Sequence, residues 1–200
     1  MNKLYLIIIT NAINTSISNV KSDLGLSNLV PGNEISLFKA QYNGKGICIG
    51  KYNDKILIVS QEKVFNFYDK AISSFEKQIC DLFPNSEITV LTLYSTVDLY
   101  GYAIIEKGVR QRIKSGADND VYIDYGNKIK EEDDIAKEKI FDDSEMAEME
   151  REYSKNDIKK MVDKEISVRV TSRLLRRYFG KDEKEIDSNF DSIKLVEYQQ

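Results

Sequence analysis

The charged residues of this chain lie mainly in its second half, and this asymmetry restricts the fold more than any other feature of the sequence. Residues 1–100 contain nine Lys or Arg and nine Asp or Glu, whereas residues 101–200 contain 20 and 24. A weakly charged segment can bury its apolar runs in a sheet, but a charge-rich segment needs the solvated surface that helices provide. The sequence therefore predicts an α+β fold with a mixed β-sheet and hairpins, one amphipathic crossover helix and a charged helical C-terminal half.

Short apolar runs separated by turn residues predict the strands of this sheet. The continuous run Leu4–Thr10 is typical of a central strand. A hairpin is predicted where Asn53-Asp54, a pair suited to a tight turn, separates two further runs. The strands of this hairpin are Gly46–Tyr52 and Lys55–Ser60. The other predicted strands are Ile35–Tyr42, Glu87–Tyr94, Leu99–Glu106, Val109–Ser115 and Val121–Tyr125.

Two stretches have the three- and four-residue apolar spacing of helices. From Val64 to Phe83 this spacing is unbroken and ends before Pro84, so we expect one continuous helix that connects the strands on either side. Residues Asp157–Phe179 have helical spacing as well, although Ile166–Val170 also alternates as a strand would. Helix and strand are both compatible with residues 165–171, and we favour a continuous helix.

Length and composition predict a single domain over residues 1–200. We expect a sheet-rich core at 1–130, an acidic insertion at 131–155 and a helical C-terminal part at 156–200. The only cysteines are Cys48 and Cys80, and without a CxxC motif they indicate buried thiols in the cytoplasm. No apolar stretch reaches the length of a membrane-spanning helix, so we expect no membrane contact.

The chain contains no histidine, which removes the commonest general base, zinc ligand and pH-sensitive side chain. The glycine-rich stretch Asn43–Tyr52 lacks the spacing of a phosphate-binding loop and leads into a strand instead of a helix. The sequence therefore predicts no catalytic, cofactor-binding or metal-binding residue and favours a non-enzymatic role. The alternative is a small-ligand-binding domain or a histidine-free enzyme that uses carboxylate, Tyr and Arg groups, with Arg110, Arg112 and Asp124 as candidates.

Two runs of opposite charge are the strongest candidates for binding. Residues 131–152 contain eleven acids and three bases, whereas residues 155–184 contain ten bases and five acids. In a helix, one face of the basic run would present Arg169, Arg173, Arg176 and Arg177. This face could pair with the acidic run of the same chain, bind an acidic partner or bind nucleic acid. The net charge of −4 disfavours nucleic acid.

The leading hypothesis is a non-enzymatic intracellular protein-binding module that contacts a protein partner through its acidic segment. Inhibitors and immunity proteins belong to this class. Tyrosines are common in protein-binding surfaces, and several lie near the acidic run. The predicted contact residues are Glu131, Glu132, Asp133, Asp134, Tyr102, Tyr122, Tyr125 and the four arginines. The sequence indicates neither the identity of the partner nor the oligomeric state.

Several short motifs occur between about residues 95 and 180. They are Gly101-Tyr102-Ala103-Ile104-Ile105, Gly108, Arg112, Gly116, Ile123-Asp124-Tyr125-Gly126, Glu131 and Arg173-Leu174-Leu175-Arg176-Arg177-Tyr178-Phe179-Gly180. This set resembles uncharacterised bacterial proteins grouped as domains of unknown function. The resemblance implies a bacterial α/β domain with an acidic insertion. It implies no activity, no cofactor and no role for any residue.

Overall fold

The computed structural model describes residues 3–44 and 46–199, and these residues contain one nine-stranded sheet. The strands are β1 (Lys3–Ile9), β2 (Val30–Ser36), β3 (Ile47–Tyr52), β4 (Lys55–Val59), β5 (Glu87–Tyr94), β6 (Leu99–Glu106), β7 (Val109–Ala117), β8 (Asp120–Gly126) and β9 (Lys194–Gln199). The helices are α1 (Ile17–Asp23), α2 (Leu37–Ala40), α3 (Gln61–Phe65), α4 (Ser74–Leu82), α5 (Lys130–Ala136), α6 (Asp143–Glu152), α7 (Lys155–Phe179) and α8 (Glu183–Ser192).

The sheet has the strand order β2-β9-β3-β4-β1-β5-β6-β7-β8. Each of these neighbouring pairs is antiparallel. The α+β class is confirmed, and the sheet is antiparallel where a mixed sheet was expected. Short turns account for much of this arrangement, because consecutive strands joined by two-residue turns must run in opposite directions.

The crossover between β4 and β5 contains two short helices, so the prediction of one continuous helix over residues 64–83 is wrong. Both strands pair with β1, one on each side of it, and are therefore parallel to each other. Between the two helices, Arg110 donates hydrogen bonds to the carbonyl oxygens of residues 69–71 at 2.8–3.1 Å. A continuous helix would need these carbonyls for its own backbone. Helix α4 then begins after its N-cap residue Ser73, whose hydroxyl accepts a hydrogen bond from the Glu76 N–H at 3.0 Å.

Alternating strand side chains face two apolar cores, one on each side of the sheet. The odd-numbered side chains of β1 from Tyr5 to Ile9 pack in the core that includes α1, α3 and α4. The even-numbered ones from Leu4 to Ile8 pack in the core that includes α2, α5, α7 and α8. Helix α7 confirms the predicted continuous helix, and each of its buried large apolar side chains contributes about 1.5–3 kcal/mol.

Two elements differ from the sequence predictions near the end of the sheet. The strand expected over Ile35–Tyr42 ends at Ser36, where the hydroxyl accepts a hydrogen bond from the Lys39 N–H at 3.2 Å and begins α2. Residues 194–199, for which the sequence predicts no strand, form β9 between β2 and β3. No helix in residues 3–44 or 46–199 is long and apolar enough to cross a membrane.

Candidate functional site: a buried charge network and an exposed acidic helix

A β-bulge in β7 directs its two arginines to opposite faces of the sheet. Arg112 is opposite Ile104 of β6 and Arg110 is opposite Ile105, so Gln111 between them has no partner on β6. Side chains of adjacent residues on β6 point to opposite faces, and their partners on β7 do the same. The arginines suggested for a ligand site therefore do not converge.

Arg110 belongs to the face that carries α4. Its guanidinium group forms a two-pronged ion pair with Glu76, with Nε–Oε1 and Nη2–Oε2 distances of 2.6 and 2.5 Å. The Glu76 side chain is 1% exposed. Hydrogen bonding to Glu76 raises the pKa of Arg110 in spite of its partial burial. Because the same guanidinium group also binds the carbonyls of residues 69–71, Arg110 holds α4 and the preceding segment against the sheet.

Arg112 lies on the opposite face, beneath α5, and its hydrogen-bonding capacity is largely used within the chain. Its Nε and Nη2 donate to the Glu132 carboxylate at 2.8 and 2.7 Å, and Nη1 donates to Asp124 at 2.5 Å. Nη1 also donates to the Tyr125 carbonyl at 3.1 Å. Burial by itself would lower the pKa of Arg112, but the two carboxylates raise it above its ordinary value. Arg112 is therefore a buried structural cation.

Glu132 and Tyr102, both predicted to contact a partner, are buried in the structure. Glu132 is 3% exposed, and Tyr102 is fully buried beside the Arg112–Glu132 pair. Glu132 faces the core because Ile129 and Ile135, three residues before and after it, define the buried side of α5. This spacing is visible in the sequence and could have identified Glu132 as an inward-facing acid. Burial, followed by the charge of Glu132, raises the pKa of Tyr102.

A second buried cation on β7 connects the sheet to α7. Lys114 is 3% exposed, and its Nζ donates to Asp163 at 2.6 Å. Small polar side chains allow α7 to pack closely here: Ser167 and Thr171 are fully buried and donate to carbonyls one turn earlier at 2.8 and 3.0 Å. Tyr100 lies in the same layer, where burial and then nearby carboxylates raise its pKa to about 12.

Three of the four α7 arginines form ion pairs within the chain. Arg169 donates to Glu165 at 2.8 Å and to the Ile140 carbonyl at 3.0 Å, and Arg173 pairs with Glu138. Arg177 donates to Glu87 at 2.9 Å. In the described part of the chain, Arg176 is the exposed member of this set that has no such partner. The connection between α5 and α6 is thus fixed to α7 by Arg169 and Arg173.

The remaining predicted contact residues are at least partly exposed. On α5, Asp133 is exposed, whereas Glu131 and Asp134 are half-buried. On β8, Tyr122 and Tyr125 are 62% and 55% exposed. Five of the predicted acids and tyrosines therefore have access to solvent, and they belong to two different elements.

Helix α6 is strongly acidic and largely exposed. Residues 142–152 contain six acids and one base. The helix begins through local bonds alone: the Asp142 carboxylate accepts from the Ser144 and Glu145 N–H groups at 2.8 and 2.9 Å. All residues of α6 are described and none is buried, and Met146 and Met149 are half-buried. A helix with so little apolar burial gains little stability from packing.

Several carboxylates of α6 have no compensating group. Glu148, Glu150 and Glu152 make no hydrogen bond or ion pair with any described residue, and all three are exposed. Glu150 and Glu152 lie in the last turn, where the helix dipole disfavours negative charge. Glu145, Glu148 and Glu152 share one face at three- and four-residue spacing, which brings like charges together. The repulsion between these charges and the unfavourable dipole reduce the stability of α6 in the unbound protein.

Two surface hollows are present, and one of them borders the Arg110–Glu76 pair. One, of about 530 Å³, is lined by residues that include Asn43 and Ser60 and by Gln61 at the start of α3. The other, of about 480 Å³, is lined by residues that include Cys80 and Lys107. Burial raises the pKa of Cys80 to about 11, and nearby Glu76 and Asp81 contribute. The thiol is therefore protonated at neutral pH and is a poor nucleophile.

No group of three or more potential metal-ligating side chains was found among residues 3–44 and 46–199. Comparisons of the chain with models of protein families, with curated proteins and with solved structures found no match. The resemblance to bacterial domains of unknown function stays a prediction.

Proposed function

We propose that this protein is a non-enzymatic intracellular protein-binding module that binds a basic surface of a protein partner through α6. The observation that carries the proposal is the set of uncompensated carboxylates on an exposed, weakly packed helix. Inhibitory and immunity-like roles both fit this mode of binding. The charged side chains of β7 and α5 that lie beneath the helices, Arg110, Arg112, Lys114 and Glu132, already have partners inside the protein.

Electrostatic complementarity explains why such a helix suits a cationic partner. Like charges on one helical face repel each other, and a basic surface bound to that face would offset this repulsion by attracting each carboxylate. Opposite potentials also accelerate association, especially at low ionic strength. A partner of this kind would contribute Lys and Arg side chains spaced along a groove or a helix. The affinity should then fall steeply as salt is added.

Nucleic-acid binding through the arginine face has less support. Three of its four guanidinium groups are engaged with carboxylates of the same chain. Binding phosphate would require these ion pairs to be exchanged. The overall charge of −4 adds long-range repulsion between the protein and a polyanion.

In the test, the tagged full chain captures partners from a lysate of the source cells at about 50 mM and about 500 mM salt. Interactions between surface charges are much more strongly screened at the higher concentration. Two triple variants each remove three negative charges from exposed side chains. The α6 variant carries Glu148→Gln, Glu150→Gln and Glu152→Gln, and the control variant carries Asp23→Asn, Glu34→Gln and Glu106→Gln. Titration of the captured partner then gives the affinity of each variant.

We expect a stoichiometric basic protein that binds the wild type and the control variant with similar affinity. The α6 variant should bind about 3- to 150-fold more weakly, since three exposed charge contacts contribute about 0.2–1 kcal/mol each. Equal affinities for the two variants would show that α6 is not the contact surface. Failure to capture any stoichiometric protein at low salt would contradict the proposed function itself.

A further inference from the structure

We draw no further inference here: the strongest candidate, the outer edge of β8 with its exposed Tyr122 and Tyr125, carries none because the acids Asp120 and Asp124 and a bulge at Tyr122 guard this edge against strand pairing, and nothing in the described residues shows what covers it.

Discussion

Replacing Glu132 with Gln tests whether the buried Arg112–Glu132 pair holds α5 on the sheet. The carboxylate accepts two hydrogen bonds from Arg112 at 2.8 and 2.7 Å and one from the Ile129 N–H at 3.0 Å. Glutamine has almost the same shape, but its NH₂ group would face an N–H donor of Arg112. The substitution therefore removes a charge and at least one charge-assisted hydrogen bond while leaving the packing volume unchanged.

We expect Glu132→Gln to lower the free energy of unfolding by about 3–5 kcal/mol, the cost of leaving one member of a buried ion pair without its partner. Asp124 lies 2.5 Å from Arg112 and keeps part of the compensating charge, which favours the lower end of that range. Urea unfolding followed by far-ultraviolet circular dichroism measures the change. With an m-value of about 2–3 kcal/mol/M, the midpoint should fall by about 1–2 M.

Glu138→Gln is the matched control, since it removes the same charge from the exposed pair with Arg173. Its expected cost is about 0.2–1 kcal/mol. If Glu132→Gln cost no more than Glu138→Gln, the argument that burial makes the Arg112–Glu132 pair important would be refuted. A double-mutant cycle with Arg112→Met would then locate the error, because a coupling energy near zero means that the two side chains do not stabilise each other.

The same pair predicts a specific pH dependence. Burial raises the pKa of Glu132, but the hydrogen bonds from Arg112 and Ile129 outweigh it, so the pKa lies below its ordinary value of 4.5. The stabilisation is then present above the unfolded-state pKa and is lost as the pH falls through the lowered folded-state value. The difference in stability between the wild type and Glu132→Gln should be constant near neutral pH and shrink below about pH 4.5. A difference that persists unchanged in stronger acid would contradict this assignment.

Two further predictions concern the backbone and the thiols. Gly126→Ala should cost at least twice as much stability as Gly25→Ala in urea unfolding. Both glycines have positive φ, for which backbone strain should cost about 1–2 kcal/mol, but only at Gly126 would the new Cβ lie 2.0 Å from the Gln111 carbonyl oxygen. Equal costs would mean that the backbone around Gly126 relaxes freely. Alkylation of Cys48 and Cys80 in the folded protein should be slow at neutral pH, and its rate should rise about tenfold per pH unit. The reason is that burial is the main cause that raises both pKa values to about 11. Fast labelling at a rate that does not depend on pH would contradict this.

Elements that depend on local chemistry could be predicted from the sequence. Strand β5 has the predicted bounds, Glu87–Tyr94. The predicted hairpin turn at Asn53-Asp54 contains a positive φ angle at Asn53, as a tight turn between antiparallel strands requires. Helix α7 has its apolar spacing and ends before Gly180. In each case the information lies within a few neighbouring residues, where side-chain periodicity and backbone preferences act.

The charge network could be predicted only in part. The sequence identifies the acidic and basic runs and includes pairing between them as one alternative, and the Arg173–Glu138 contact is of that kind. The burial of Glu132 was not predicted, although the spacing of Ile129 and Ile135 on either side of it contains that information. The bulge at Gln111 has no recognisable local signal, yet it decides that Arg110 and Arg112 serve opposite faces.

Local patterns along the chain are enough to predict the α+β class, the hairpins and the long helix α7. Which charges are buried, where the crossover helix breaks and that β9 lies between β2 and β3 depend on how distant segments pack. The physical reason is distance along the chain. Periodicity and turn chemistry act over a few residues, whereas a contact such as Asn43–Glu197 joins residues 154 positions apart and requires β9 to have paired with the sheet.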